Sequence, residues 1–139
     1  MARTVREVMT HDLRTVSPES TLTEAAREMR DGDVGPVLIL DGDDPVGILT
    51  DRDIVVRAIA EGGAGDSTKV GDIATRGVIG VEVDQPIDAA VELMRENDIR
   101  RVLVTDGGRP VGIVSIGDLA VERDTDSALA DISAASPNN

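Results

Sequence analysis

The sequence predicts an α+β fold of two tandem β-α-β-β-α repeats packed with pseudo-two-fold symmetry. Three observations carry that prediction. Sliding the 139-residue chain against itself by 65 residues aligns 5–54 with 70–119 without a gap, and 16 of the 50 pairs are identical. Such self-similarity marks a duplication. The two copies then show the same order of apolar segments, helical periods and turns. Finally, 40% of the residues are apolar but none is Phe, Tyr or Trp, so the core is aliphatic.

In each copy an apolar segment comes first, 13–16 and 78–83, and reads as a short strand. Leu22, Ala25, Ala26 and Met29 follow at helical spacing, as do Ile87, Ala90, Val91 and Met94, giving one apolar helix face per copy. Thr21 with Glu24 is a capping box for the first of these helices, and Pro86 suits the first turn of the second. Apolar runs 36–40 and 46–50 flank Asp-Gly-Asp-Asp-Pro, while 102–105 and 111–115 flank Asp-Gly-Gly-Arg-Pro; both pairs read as β-hairpins. A second helix is predicted over 53–60 and again over 118–123. The repeats are placed at 5–63 and 70–126, with a linker at 64–69 and a flexible C-terminal tail at 127–139. One repeat alone leaves an apolar face bare, and two stacked repeats cover it.

Composition removes several classes of function. With 14 Lys+Arg against 27 Asp+Glu, the charge of −13 repels nucleic-acid phosphates, so no nucleic-acid partner is expected. No uncharged run approaches the ~20 residues of a membrane span, and the start has no apolar run of a secretory signal. Without cysteine there are no disulfides, thiol nucleophiles or thiolate metal sites. A cytoplasmic protein free of the membrane is expected. His11 is the sole histidine, which leaves no catalytic triad and no His-rich metal site. The acidic run from Asp41 to Asp44 lacks the spacing and Glu of a calcium loop and reads as a turn. Glycine-rich phosphate loops of the P-loop and dinucleotide-binding types are absent. An enzyme is not expected, nor a required cofactor.

Each repeat carries the same signature, hydrophobic-Gly-Ile-x-Thr/Ser-x-x-Asp. It stands as Val46-Gly-Ile-Leu-Thr-Asp-Arg-Asp53 and as Val111-Gly-Ile-Val-Ser-Ile-Gly-Asp118. With Val8-Met9-Thr10 upstream, and with the segments starting at Asp33 and Asp98, the chain resembles the CBS domain pair, or Bateman module, over roughly 5–123. The resemblance implies a stand-alone regulatory module that binds an adenosyl ligand (AMP, ADP, ATP or S-adenosylmethionine) in clefts between the copies. It also implies the site residues. One cleft takes Ile48, Thr50 and Asp53 with Val78, Ile79, Ile99, Arg100 and Arg101. The other takes Ile113, Ser115 and Asp118 with Leu13, Arg14, Val34, Gly35 and Pro36. Helices of such pairs commonly pack on a second pair, so a homodimer is expected, built on Ile54, Val55, Ile59, Leu119 and Val121. A regulated protein partner is expected too, of unspecified identity.

Thr50/Asp53 and Ser115/Asp118 admit two compatible readings. A carboxylate accepts from both hydroxyls of a ribose through charge-assisted bonds, and a helix start suits a phosphate. The same spacing is also that of a capping box, which merely starts a helix. The arginines break the symmetry, since Arg100-Arg101 has Gly35-Pro36 as its counterpart and Arg52 has Gly117. Guanidinium forks suit phosphate, which favours the cleft with Thr50, Asp53 and Arg101 as the phosphate-bearing one. With no aromatic ring available, adenine would lie between Ile, Val and Leu side chains. The alternative function is an interaction or structural module that acts through protein partners without a ligand.

Overall fold

A computed structural model describes residues 3–74 and 76–123, together with the backbone alone of the last three of these. The expected tail, 127–139, lies outside the described residues. The elements run α1 (Val5–Val8), β1 (Thr15–Val16), α2 (Leu22–Gly32), β2 (Pro36–Asp41), β3 (Asp44–Thr50) and α3 (Asp51–Asp53). A π-helix, Ile54–Ile59, continues from α3. After it come α4 (Val70–Ile73), β4 (Gly80–Glu82), α5 (Ile87–Asn97), β5 (Arg101–Asp106), β6 (Arg109–Ser115) and α6 (Ile116–Arg123). The α+β class stands, and so does the β-α-β-β-α order of each repeat.

The chain divides into two compact units. One is Asp12–Val78; the described part of the other is 3–11 with 79–123. Each holds a three-stranded sheet, β1-β2-β3 or β4-β5-β6, with the first pair parallel and the second antiparallel. The packing units are thus cut differently from the sequence repeats: the opening helix of each repeat joins the unit of the other. In α1, Val5 N–H donates to Gln85 O at 2.9 Å and Arg6 N–H to Val83 O at 3.1 Å, while Ile87 N–H donates to Arg3 O at 2.9 Å. In α4, Val70 N–H donates to Ser20 O at 2.8 Å, while Leu22 N–H donates to Thr68 O at 3.0 Å. Val5 and Val70 are both fully buried, each in the core of the unit it joins.

Local chemistry accounts for the rest. Thr21 and Glu24 cap α2 reciprocally, as their spacing predicts. Leu22, Ala25 and Met29 bury one face of α2, and Ile87, Ala90 and Met94 one face of α5. Both helices stop at an aspartate in the left-handed region, Asp33 (φ 51°) and Asp98 (φ 53°), which this short polar residue tolerates. The next N–H then closes the turn, Val34 onto Met29 O and Ile99 onto Met94 O, both at 3.0 Å. Asp41 opposes Asp44 and Asp106 opposes Arg109, so both expected hairpins form, and the acidic run is a turn. Gly107 and Gly108 both have positive φ, the requirement of a tight I′ hairpin turn. Glu82 braces that hairpin by accepting from the Thr105 hydroxyl and from Gly107 N–H at 2.9 Å. Those bonds, the Thr105 one first, hold its carboxyl below the usual range.

The second helices differ between repeats. Ile116–Arg123 is α-helical, whereas 54–59 widens into π turns, with Ala60 N–H reaching back to Val55 O at 2.9 Å. Ala58 faces the core there, and Val55, Val56 and Ile59 stand 45–59% exposed.

Candidate functional site

Hairpin closure builds the candidate sites. Antiparallel pairing of β2 with β3 must set the first residue of one strand opposite the last of the other, so Pro36 faces Thr50. Beyond the strand end, Asp51 N–H donates to Gly35 O at 3.1 Å. The parallel neighbour adds Arg14, whose carbonyl accepts from Leu38 N–H at 2.8 Å. In the other unit Arg101 faces Ser115, Ile116 N–H donates to Arg100 O at 2.9 Å, and Leu103 N–H donates to Ile79 O at 2.9 Å.

Within each unit this register sets several of the expected site residues side by side. The structure gathers Thr50 and Asp53 with Arg14, Val34, Gly35 and Pro36, and Ser115 and Asp118 with Ile79, Ile99, Arg100 and Arg101. Each signature meets the pre-hairpin residues of its own repeat, because the hairpin joins them directly. Val78 ends the unit of the first signature, next to Gly77, whose N–H donates to Val46 O at 2.9 Å; Leu13 is half-buried ahead of Arg14. Ile48 is half-buried, but Ile113 is only 3% exposed, and its backbone pairs with Thr10.

Both signatures form reciprocal capping boxes. Thr50 N–H donates to Asp53 Oδ2 at 2.9 Å, and Asp53 N–H donates to Thr50 Oγ1 at 3.1 Å. Ser115 donates to Asp118 Oδ2 from its N–H at 2.9 Å and from its hydroxyl at 3.0 Å, and Asp118 N–H returns to Ser115 Oγ at 3.3 Å. The capping reading is thus realised in both repeats, and Oδ1 of each aspartate keeps no protein partner among the described residues. Thr50 is the buried polar residue of the described core.

The surroundings differ in charge. Arg14 is held by Asp12 at 3.2 Å and Glu28 at 3.7 Å. A Cβ on Gly35 would lie 3.4 Å from Asp51 Oδ1, so a carboxylate adjoins the pre-hairpin backbone there. In the other unit Arg101 Nε is buried without a hydrogen-bond partner. Ile99, Arg100, Ile116 and Leu119, with Arg95 and Asp98, help line a cavity of about 520 Å³ to which Arg101, Ser115 and Asp118 do not contribute. That volume lies within the range of small-molecule sites. Sequence reasoning missed Ile116 as a lining residue, since an apolar residue just after a strand reads as core; it is 52% exposed.

Among the described residues no three His, Asp or Glu side chains gather to hold a metal ion. Nor is any described helix long and apolar enough to cross a membrane.

Comparison with known proteins agrees with this architecture. The uncharacterized protein YlbB of Bacillus subtilis is 39% identical over 135 residues, covering 93% of this chain and 90% of the relative. A protein with CBS domains from Burkholderia ambifaria superposes with a TM-score of 0.78 at 31% identity, over 90% of this chain and 96% of that one. Hypoxic Response Protein I, solved with two coordinated zinc ions, superposes with a TM-score of 0.69 at 35% identity, over 85% and 97%. Its sequence counterpart from Mycobacterium tuberculosis is 36% identical over 118 residues, covering 84% of this chain and 82% of the relative. Residues 5–59 and 70–123 each match the CBS domain, and the chain belongs to that family as a tandem pair.

Proposed function

We propose that the chain is a regulatory, non-catalytic module of the cytoplasm whose signature sites bind an adenosyl ligand: AMP, ADP, ATP or S-adenosylmethionine. One observation carries this reading. Both Thr/Ser-Asp boxes use a single carboxylate oxygen for the backbone and leave the other without a protein partner. A ribose can bond to that oxygen while the cap stays intact. Ligand then acts by its differential affinity for two states of the module, and the response passes to a protein partner. Zinc is not part of the proposal, because the described residues gather no metal-ligand cluster.

The experiment is thermal melting against adenosine, AMP, ADP, ATP and S-adenosylmethionine. A ligand held only by the folded chain stabilises it by about 2.7 kcal/mol at a hundredfold excess over Kd. Asp53→Asn and Asp118→Asn keep an oxygen for the cap, so unliganded melting stays near wild type, while affinity at the altered site falls roughly tenfold as its charge-assisted bonds are lost. Absence of any adenosyl response in the wild type transfers the reading to the interaction-module alternative.

A specific observation supports self-association as a companion proposal. Val55, Val56, Ile59 and Ile116 are 45–59% exposed on the second helices. Of the other residues expected there, Leu119 is 3% exposed in its own core and Ile54 is half-buried against its own, while the side chain of Val121 lies outside the description. We expect light scattering at micromolar concentration to give the mass of two chains, and Val55→Glu with Ile59→Glu to return it to one. A wild-type mass of one chain removes the homodimer.

A further inference from the structure

We infer that residues 127–135 of the chain itself seat on the groove between α5 and α6, with Leu129 and Ile132 against its apolar wall and Asp131 at its guanidiniums. This goes beyond the adenosyl reading and does not depend on it. It gives an apolar face of the 79–123 unit an intramolecular cover, which withholds that face from other chains.

The groove is the cavity of about 520 Å³, and all its lining residues belong to that one unit. Met94 and Leu119 are buried, whereas Ile116 is 52% exposed and leaves apolar surface in water. The charged lining is Arg95, Arg100 and Asp98, two cations against one carboxylate. Arg95 meets Glu92 at 3.6 Å with both side chains exposed, an ion pair that contributes little. Arg100 has no ion-pair partner among the described residues.

The sequence that follows α6 suits this groove. Residues 124–139 include three aspartates and no Lys or Arg, and Ala128, Leu129, Ile132 and Ala135 recur at the spacing of one apolar helix face. Asp-Thr-Asp-Ser at 124–127 is turn chemistry, which lets the chain reverse after α6. Ile116 starts α6 beside Arg100, its N–H donating to Arg100 O at 2.9 Å, so a returning chain passes Leu119 first and the arginines last. That order sets Leu129 near Leu119, Ile132 near Ile116 and Asp131 within reach of Arg95 and Arg100. Seven residues of α6 rise about 10 Å, and six extended residues from 123 to 129 span about 20 Å, so the reach suffices. A tether this short gives an effective concentration on the order of millimolar.

The duplication closes the other route. In the first repeat the chain after the second helix runs to the start of α2, where Leu22 N–H donates to Thr68 O at 3.0 Å. The equivalent place at the start of α5 is filled, because Ile87 N–H donates to Arg3 O at 2.9 Å. Residues 124–139 cannot end as that linker does.

The test places a nitroxide on Ser133→Cys in the full chain, which has no cysteine of its own, and reads methyl spectra. The signals of Ile116, Ile99 and Met94 are expected to lose most of their intensity. Leu129→Asp with Ile132→Asp, which changes no residue of the described core, restores them and raises the fluorescence of an apolar dye several-fold. Asp131→Lys weakens the broadening, and adding Arg95→Glu with Arg100→Glu recovers it. Unbroadened signals in the parent chain overturn the inference, as does broadening that survives the Leu129/Ile132 change. Broadening insensitive to Asp131→Lys overturns the pairing with the arginines. Broadening passed to isotope-labelled chains mixed with separately spin-labelled ones assigns the segment to a second copy and overturns the intramolecular cover.

Discussion

Val5→Asp is expected to unfold the unit that contains residues 79–123, although Val5 lies in the first sequence repeat. Val5 is fully buried in the core formed by Val81, Val83, Ile87, Ala90 and Met94, among others. A carboxylate there has no partner and loses its hydration, which costs more than about 3 kcal/mol. Amide exchange read strand by strand checks this: protection drops in Arg101–Asp106 and Arg109–Ser115. Loss confined to Pro36–Asp41 and Asp44–Thr50 would show instead that α1 belongs with the first repeat's own sheet. Val70→Asp is the mirror experiment on Asp12–Val78, since Val70 is buried in that core.

Gly112→Ala should be the most damaging single methyl added to the chain. The new Cβ would stand 2.6 Å from Thr10 O and 2.8 Å from Met9 Sδ. The first of these is backbone, and it is also the carbonyl that accepts from Ile113 N–H at 3.4 Å. Relief requires moving the 3–11 segment off β6. Overpacking of this kind costs about 1–3 kcal/mol, and the loss of the Thr10–Ile113 bridge adds to it. Gly117→Ala is the control. Its Cβ would meet nothing closer than Ser115 Oγ at 3.7 Å, and alanine in a helix is favoured over glycine by about 1 kcal/mol. Denaturant melts of the two variants should therefore move in opposite directions. A Gly112→Ala midpoint equal to wild type would mean that the segment is free to yield.

Much of this molecule is set by short-range chemistry and can be read from the chain. The duplication, the apolar faces of α2 and α5, the Thr21/Glu24 cap and both hairpin turns depend on residues within a few positions of one another. The Thr50/Asp53 and Ser115/Asp118 boxes belong to the same class, because three-residue spacing is itself the condition for the bonds. The pairing of Arg101 with Ser115 also needs a bulge between Val104 and Thr105, because the turn at Gly107 and Gly108 alone would set Arg101 opposite Val114.

What the chain alone could not show depends on contacts between distant residues. A four-residue helix such as α1 or α4 has too few turns for an apolar period, and it is stable only because Val5 or Val70 enters a core assembled elsewhere. The exchange of these helices between units is therefore invisible to local pattern. The π turns at 54–59 are equally silent in the sequence, where the apolar residues suit an ordinary helix; packing puts Ala58 in the core and leaves Val55, Val56 and Ile59 outside. The unmet Nε of Arg101 is likewise a tertiary fact. Sequence gives the arginine and its register, but whether a donor finds an acceptor is decided only when the surrounding side chains have closed over it.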